Sequence, residues 1–255
     1  MKKQIPNLFT LLNLFFGCIA IVFILQNGII ITETADGPQL LEVPEEIWYA
    51  SLFIGLAAVV DFLDGFVARL FKAESAMGKE LDSLADVVSF GVAPSLIIFQ
   101  FLRLSVAQEV NGIEYPVLLL VPAFFLAMAA AWRLARFNIS QTSGSAFSGM
   151  PVPAVGIFFA SIPIIYWKTD ASWLITILLN KWFWYASIAL FSFLMVSTIP
   201  LMSMKFKSIK WPENRPRFIL ILVAVLGFIL LKWLAIPLTI LTYVILSLLF
   251  KNELS

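Results

Sequence analysis

Apolar residues run almost unbroken through eight stretches of the chain, at about residues 8–26, 48–70, 84–102, 117–137, 152–167, 183–202, 218–231 and 233–250. Runs of this kind predict membrane helices, because about 20 apolar residues at 1.5 Å each cross a hydrocarbon layer of roughly 30 Å. The last two runs, divided by Lys232 and Pro237, read as two helices or as one long bent helix, with two preferred. The expected fold is all-α: a polytopic integral membrane helical bundle of six core transmembrane helices plus two more. A single membrane-embedded domain over 1–255 accommodates it, with a core at about 5–205 and the extra helices at about 217–250; no repeat or low-complexity tract divides the chain.

The polar positions between the runs set an orientation. With the N-terminus inside, Lys2, Lys3, Arg69, Lys72, Lys79, Arg133, Arg136, Lys205, Lys207, Lys210, Arg215, Arg217 and Lys251 fall on the cytoplasmic side. Only Arg103, Lys168, Lys181 and Lys232 fall outside. That asymmetry obeys the positive-inside rule. The first external loop, Gln26 to Ile47, carries Glu33, Asp36, Glu42, Glu45 and Glu46 and no basic residue, and reads as a solvated linker.

Composition agrees with a membrane class: 61% of residues are hydrophobic and the mean hydropathy is +0.95, far outside the soluble range. The opening MKKQIPNLFTLLNLFFGCIAIVF imitates a signal peptide, but Asn7, Thr10 and Asn13 punctuate it and no small-residue cleavage site is evident, so it reads as a retained first helix. Cys18 is the single cysteine, which excludes an intrachain disulfide and a thiolate metal cluster. A net charge of +1 gives no reason to expect a nucleic-acid partner.

The exception to the apolar pattern is the stretch from Asp61 to Asp86. Asp61 and Asp64 are three apart and Asp82 and Asp86 four apart, so each pair shares one helix face and the two faces can meet. Gly65, Ala68, Arg69 and Gly78 lie between them, with a polar loop through Lys72, Glu74 and Lys79. An ionised aspartate at the centre of a membrane helix costs about 2.5 to 3.5 kcal/mol. Arg69 can offset one charge, and the chain has no histidine, so the balance points to divalent cations of the hard, oxygen-seeking kind such as Mg2+, Mn2+ or Ca2+. A merely solvated helix-end cluster would not require the spacing D-x2-D-G-x2-A-R-x8-G-x3-D-x3-D.

That spacing, matched without departure at Asp61, Asp64, Gly65, Ala68, Arg69, Gly78, Asp82 and Asp86, resembles the CDP-alcohol phosphatidyltransferase family. The resemblance implies a membrane enzyme that moves a phosphatidyl group from a CDP-linked lipid to an alcohol and releases CMP. It further implies two divalent cations, Mg2+ or Mn2+, on Asp61, Asp64, Asp82 and Asp86, with Asp86 also the catalytic base. Gly65, Ala68, Arg69 and Gly78 would seat the nucleotide. It also implies a homodimer; the positive-inside asymmetry turns the aspartate hairpin toward the cytoplasm, in what is expected to be a bacterial-type cytoplasmic membrane.

Shorter motifs carry two readings each. Pro6, Asn7 and Thr10 suit the cap of a first helix, while the resemblance places Asn7 and Thr10 near the CDP-lipid head group. Residues 89–95, SFGVAPS, suit a kink with close helix packing, or the shaping of a reaction chamber. Arg133 and Arg136, three apart on the acids' side, either anchor a membrane edge or bind the acceptor as rigid forks for carboxylate or phosphate. The glycine and prolines of FSGMPVPA, residues 147–154, set a tight re-entry into the fifth helix. Residues 205–217, KFKSIKWPENRPR, read as a basic loop at the membrane edge.

Together PNLFTLLNLFFG, SFGVAPS, RLARFN, FSGMPVPA and FLMVSTIP resemble the phosphatidylserine synthase branch of the family, over about residues 5–205. That branch implies CDP-diacylglycerol and L-serine as substrates. Inositol, glycerol 3-phosphate or a second lipid remain alternative acceptors. A divalent-cation transporter is the rival outside the class, although it would scatter its acids over several helices near the midplane.

Overall fold

The computed structural model describes residues 5–33, 39–71, 75–109, 116–139, 147–202 and 211–250. The expectations for Lys2, Lys3, Asp36, Lys72, Glu74, Lys205, Lys207, Lys210 and Lys251 lie outside the described residues. Ten helices follow one another among the described residues. They are α1 (Ile5–Gln26), α2 (Trp48–Leu70), α3 (Ala76–Asp86), α4 (Ala93–Ala107), α5 (Phe125–Ile139), α6 (Val152–Lys168), α7 (Ser172–Leu178), α8 (Lys181–Val196), α9 (Trp211–Leu231) and α10 (Ala235–Leu249). Five helical stretches are long and apolar enough to cross a membrane, or six if the bent pair α7 and α8 is one span; α6 is apolar but shorter. The chain is a polytopic, all-α integral membrane protein.

Where the structure departs from the expected runs, local chemistry supplies the reason. The third helix starts at Ala76 rather than near residue 84, because the Ser75 hydroxyl caps it by accepting from the Gly78 amide at 3.0 Å. The expected kink at SFGVAPS is a π-helical turn, Val87–Val92, that joins α3 to α4 as one continuous span. Pro94 lacks an amide hydrogen and its ring would strike the carbonyl four residues earlier, and a wider turn relieves both. Pro122 has a similar effect before α5, where Val117–Leu119 and Val121–Phe124 are 3-10 turns. The run expected at 183–202 is α8 preceded by the short α7 at a 68° bend, and it ends at Val196.

The loop between α1 and α2, expected as a solvated linker, is more than that. It contains a two-stranded antiparallel ladder, β1 (Ile30–Glu33) with β2 (Gln39–Glu42), which satisfies backbone groups that a coil would leave to water. Near the same end, Lys168 pairs with Glu45 at 2.8 Å and Lys181 with Glu109 at 2.7 Å. Both pairs are solvent-exposed in part and contribute about 0–1 kcal/mol each.

The interior lies between α4, α6 and α8. Phe101 of α4 meets Trp184 of α8 at 5.5 Å between ring centroids, and Phe159 of α6 meets Phe191 of α8 edge to face at 5.2 Å. In a bilayer such contacts act through close packing, since lipid is as apolar as the core. At the last two helices Lys232 adopts φ 50° and the chain folds back, so that a side chain on Gly227 of α9 would touch Ala235 of α10. Two helices and a turn, rather than one bent helix, occupy this region.

Two of the short motifs bind one another. β3 (Phe147–Ser148) pairs with β4 (Pro200–Leu201), the Gly149 amide donates to Ile199 O at 3.0 Å, and the Met150 amide donates to Leu194 O at 2.9 Å. Gly149 has φ +76°, and a Cβ there would lie 2.6 Å from Met195 O and 2.7 Å from Ser197 O. Gly149→Ala is therefore expected to destabilise the protein by at least ~1–2 kcal/mol, the usual left-handed penalty, before the clash is counted. Thermal unfolding in detergent checks this, and an unchanged midpoint would show that the clasp is not under strain.

Candidate active site

α2 and α3 are consecutive, joined at the end of the bundle that also holds the start of α1 and the end of α5. Their facing sides bring Asp61, Asp64 and Asp82 together, with one carboxylate oxygen from each within 4.8 Å of the others. Asp61 also stands within hydrogen-bonding reach of Asp86, so the fourth acid adjoins the trio without being part of it. Asp64 and Asp86 are buried, Asp61 and Asp82 half-buried.

α1 lies along this cluster and supplies its hydrogen-bond donors. The Thr10 hydroxyl donates to Asp64 Oδ2 at 2.7 Å, and Asn13 Nδ2 donates to Asp86 Oδ1 at 3.2 Å. Ser89 of the π turn donates to Asn13 O at 3.0 Å, and a Cβ on Gly17 would collide with Ser89 Oγ. Only a residue without a side chain lets α1 approach the turn beside Asp86 this closely. Asn13 is the site contact that the acid spacing does not announce. Its signal was present, because Asn7, Thr10 and Asn13 recur every three residues and so line one face of α1.

The residues read as a nucleotide seat gather at the same mouth. A Cβ on Gly78 would come to 3.1 Å from Asn7 Oδ1, and one on Gly65 to 3.5 Å from Arg69 Nη1. Ala68 is half-buried on the turn after Gly65. Arg69 itself is exposed, and among the described residues no basic side chain lies within ion-pair distance of any of the four aspartates. The Arg69 guanidinium folds back over Gly65, next to Asp64, so the side chain meets the expectation of partly offsetting one of these charges, through space and without a direct ion pair.

A cation fits this donor set on three grounds. The ligand atoms are all carboxylate oxygens at clustered positions, the nearby charge is unbalanced, and Asp82 Oδ1 is buried with no hydrogen-bond partner. Unpaired buried carboxylate oxygens are costly unless something positive meets them.

The two arginines of α5 diverge. Arg136 donates from Nη1 to Val196 O at 2.7 Å and from Nη2 to Ser197 O at 3.1 Å, so it fastens α5 to the end of α8. Arg133 is buried, its Nε has no partner, and Asp86, Arg136 and Tyr243 are the ionisable groups within electrostatic reach. Just beyond, Asn138 joins α5 to α3 through Ser83 Oγ at 2.9 Å, and Lys79 Nζ donates to Asn138 O at 3.0 Å. Sequence reasoning had no account of this clamp, which holds the acid-bearing α3 in place.

The family model described as CDP-alcohol phosphatidyltransferase matches residues 3–193, including all four aspartates and both arginines. The chain belongs to the CDP-alcohol phosphatidyltransferase family. Three similar proteins of this group are each named CDP-diacylglycerol–serine O-phosphatidyltransferase. The Mycobacterium leprae protein is 33% identical over 76% of this chain and 62% of its own length. The Bacillus subtilis protein is 32% identical over 64% of this chain and 77% of its own, and the Helicobacter pylori 26695 protein 31% identical over 86% and 78%. As a CDP-alcohol phosphatidyltransferase, the protein is a membrane-embedded transferase of phospholipid synthesis, and its acid cluster is a candidate divalent-metal centre.

Proposed function

We propose that this protein transfers the phosphatidyl group of CDP-diacylglycerol to the hydroxyl of L-serine, giving phosphatidylserine and CMP. The observation that carries the reading is the convergence of Asp61, Asp64 and Asp82, with Asp86 alongside them, in a chain whose similar relatives bear the serine transferase name. The site lies on the cytoplasmic side of a bacterial-type membrane, in a homodimer of single-domain subunits, because basic residues favour that side and the family resemblance implies the dimer.

Asp61, Asp64 and Asp82, with Asp86 at the edge, would hold two divalent cations, Mg2+ or Mn2+. Bound there, such ions supply positive charge to the diphosphate and to the leaving CMP phosphate. The protein's own groups do the rest. Gly65, Ala68 and Gly78 leave room beside the helices for the nucleotide, with Asn7, Thr10 and Arg69 at its rim. Asp86 accepts the proton of the serine hydroxyl as the oxygen attacks the phosphorus bearing diacylglycerol. One P–O bond forms to serine, the P–O bond to CMP breaks, and the proton rests on Asp86. Asn13 keeps that carboxylate aimed by its hydrogen bond to Oδ1.

Direct displacement suits the residues available. The chain has no histidine to carry a phosphatidyl group, and the lone Cys18 is exposed on α1. Of the two arginines expected at the acceptor, Arg133, whose buried Nε is unengaged, brings the positive charge for the acceptor's carboxylate, while Arg136 is held by the carbonyls of Val196 and Ser197.

An acceptor panel tests the reading: purified protein, labelled CDP-diacylglycerol, Mg2+ or Mn2+, and one alcohol at a time. Serine is expected to give lipid product and CMP in equal amounts, with inositol and glycerol 3-phosphate near background. Faster transfer to either of those would replace serine as the acceptor while leaving the family chemistry intact.

A further inference from the structure

Asn13 of α1 is fully buried, and only one side of its amide is engaged. Nδ2 donates to Asp86 Oδ1 at 3.2 Å, while Asn13 Oδ1 is buried with no hydrogen-bond partner among the described residues. The carboxylate fixes which way the amide lies, since the reverse orientation would set two oxygens face to face. The backbone beneath it is fixed as well. Ser89, also fully buried, donates to Asn13 O at 3.0 Å, and Gly17 lets α1 pack against that serine. A buried acceptor left without a donor is destabilising, so a side chain held this firmly with its oxygen unpaired suits a donor that arrives from outside.

Distance says which donor can arrive. The nitrogen and oxygen of an amide are about 2.2 Å apart, so with the 3.2 Å bond Asn13 Oδ1 lies no more than about 5.4 Å from Asp86 Oδ1. The serine hydroxyl must come within hydrogen-bond reach of Asp86 to give up its proton. Its ammonium sits on the adjacent carbon, about 3 Å from the hydroxyl oxygen in a gauche rotamer. A serine molecule at the base therefore carries a charged N–H donor into the range of Asn13 Oδ1. The chemistry matches too, because an ammonium has donors and no acceptor. Asp61, Asp64 and Asp82 face the cation, and Asp86 takes the hydroxyl proton. Another carboxylate would add negative charge to a cluster already short of positive charge, whereas a neutral amide oxygen directs the ammonium and adds none.

We propose that Asn13 is a specificity-determining contact of the acceptor site, its Oδ1 accepting from the ammonium of serine while its Nδ2 aims Asp86. This rests on the reading of serine as the acceptor. It assigns the two charged ends of the amino acid to different helices, the ammonium to α1 and the carboxylate to Arg133 of α5. Acceptors without an amino group, such as inositol or glycerol 3-phosphate, leave Oδ1 unpaired and are disfavoured for that reason.

The test measures kcat/KM in the full chain and its N13L, N13A and S89A variants for three acceptors: serine, 3-hydroxypropionate, which lacks the amino group, and ethanolamine, which lacks the carboxylate. Where an analogue is too slow as a substrate, its inhibition constant against serine takes the place of kcat/KM. Poorer aiming of Asp86 in the Asn13 variants lowers turnover on every acceptor alike, whereas loss of the inferred contact falls only on acceptors that bear an amino group. N13L is expected to lower the preference for serine over 3-hydroxypropionate by about tenfold to a hundredfold, as loss of a hydrogen bond to a charged group does. The preference for serine over ethanolamine should not move. N13A is expected to give the same pattern and serves if N13L fails to fold, which a thermal midpoint reports. S89A removes only the backbone anchor, so it is expected to lower all three rates together and keep both preferences. Equal losses for serine and 3-hydroxypropionate in the Asn13 variants would leave Asn13 as an aid to Asp86 alone; the inference then falls while serine transfer stands. An unmodified protein that uses 3-hydroxypropionate as well as serine would overturn the serine reading and the inference with it.

Discussion

Asp86→Asn is expected to lower turnover by about 10²- to 10⁴-fold, the usual contribution of a positioned general base. The substitution keeps the size of the side chain and an oxygen for the Asn13 amide, but it cannot take up a proton. Asn13 donates to Asp86 Oδ1 at 3.2 Å and is itself anchored by Ser89 through its backbone carbonyl, so the carboxylate is held in one orientation. Steady-state kinetics with purified protein should show kcat falling while the KM for CDP-diacylglycerol changes little. A kcat within a few-fold of the unmodified protein would remove Asp86 as the base and leave it a neighbour of the metal trio.

Removing divalent cations is expected to abolish transfer, and adding Mg2+ or Mn2+ to restore it. Asp61, Asp64 and Asp82 present three carboxylates with no basic residue in ion-pair range among the described residues, so no protein group takes the cation's place. Charge stabilisation by a metal is worth several kcal/mol, on the order of a hundredfold or more in rate. Asp82→Ala should therefore lose at least that much and shift metal activation to higher concentration. Thr10→Val deletes the 2.7 Å bond to Asp64 together with the longer 3.2 Å bond to Pro6 O, and should cost on the order of tenfold at most. Full activity in excess chelator, or an Asp82→Ala protein with unshifted metal dependence, would exclude a metal at this cluster.

What the sequence made legible was local. Three- and four-residue spacings place Asp61 with Asp64 and Asp82 with Asp86, since helix periodicity acts within a few residues. Apolar runs likewise disclosed the spans, because the bilayer imposes a minimum length. Contacts between distant segments were not legible: Thr10 with Asp64, Asn13 with Asp86, and Arg136 with Ser197 lie 54, 73 and 61 residues apart. Nothing in their spacing encodes the pairing. The arginines show the limit well, for their shared helix face suggested one task, while Arg136 is spent on carbonyls and Arg133 is not. The π turn escaped for another reason, because a proline in an apolar run announces a disturbance without stating how the backbone absorbs it.

Asp61 stands nine residues and Asp64 six residues before the end of α2, which at 1.5 Å per residue sets them about 13 Å and about 9 Å along the helix from its mouth. Chemistry at that level draws its two substrates from different worlds. Serine must descend from water, whereas the phosphatidyl donor arrives sideways from the lipid leaflet, through diffusion in two dimensions. The quantity that governs donor saturation is then its mole fraction in the surface, and inert detergent or bulk lipid competes by dilution without binding anything. Donor affinities measured in micelles at fixed bulk concentration will change with the amount of detergent present, while the serine dependence follows ordinary volume concentration.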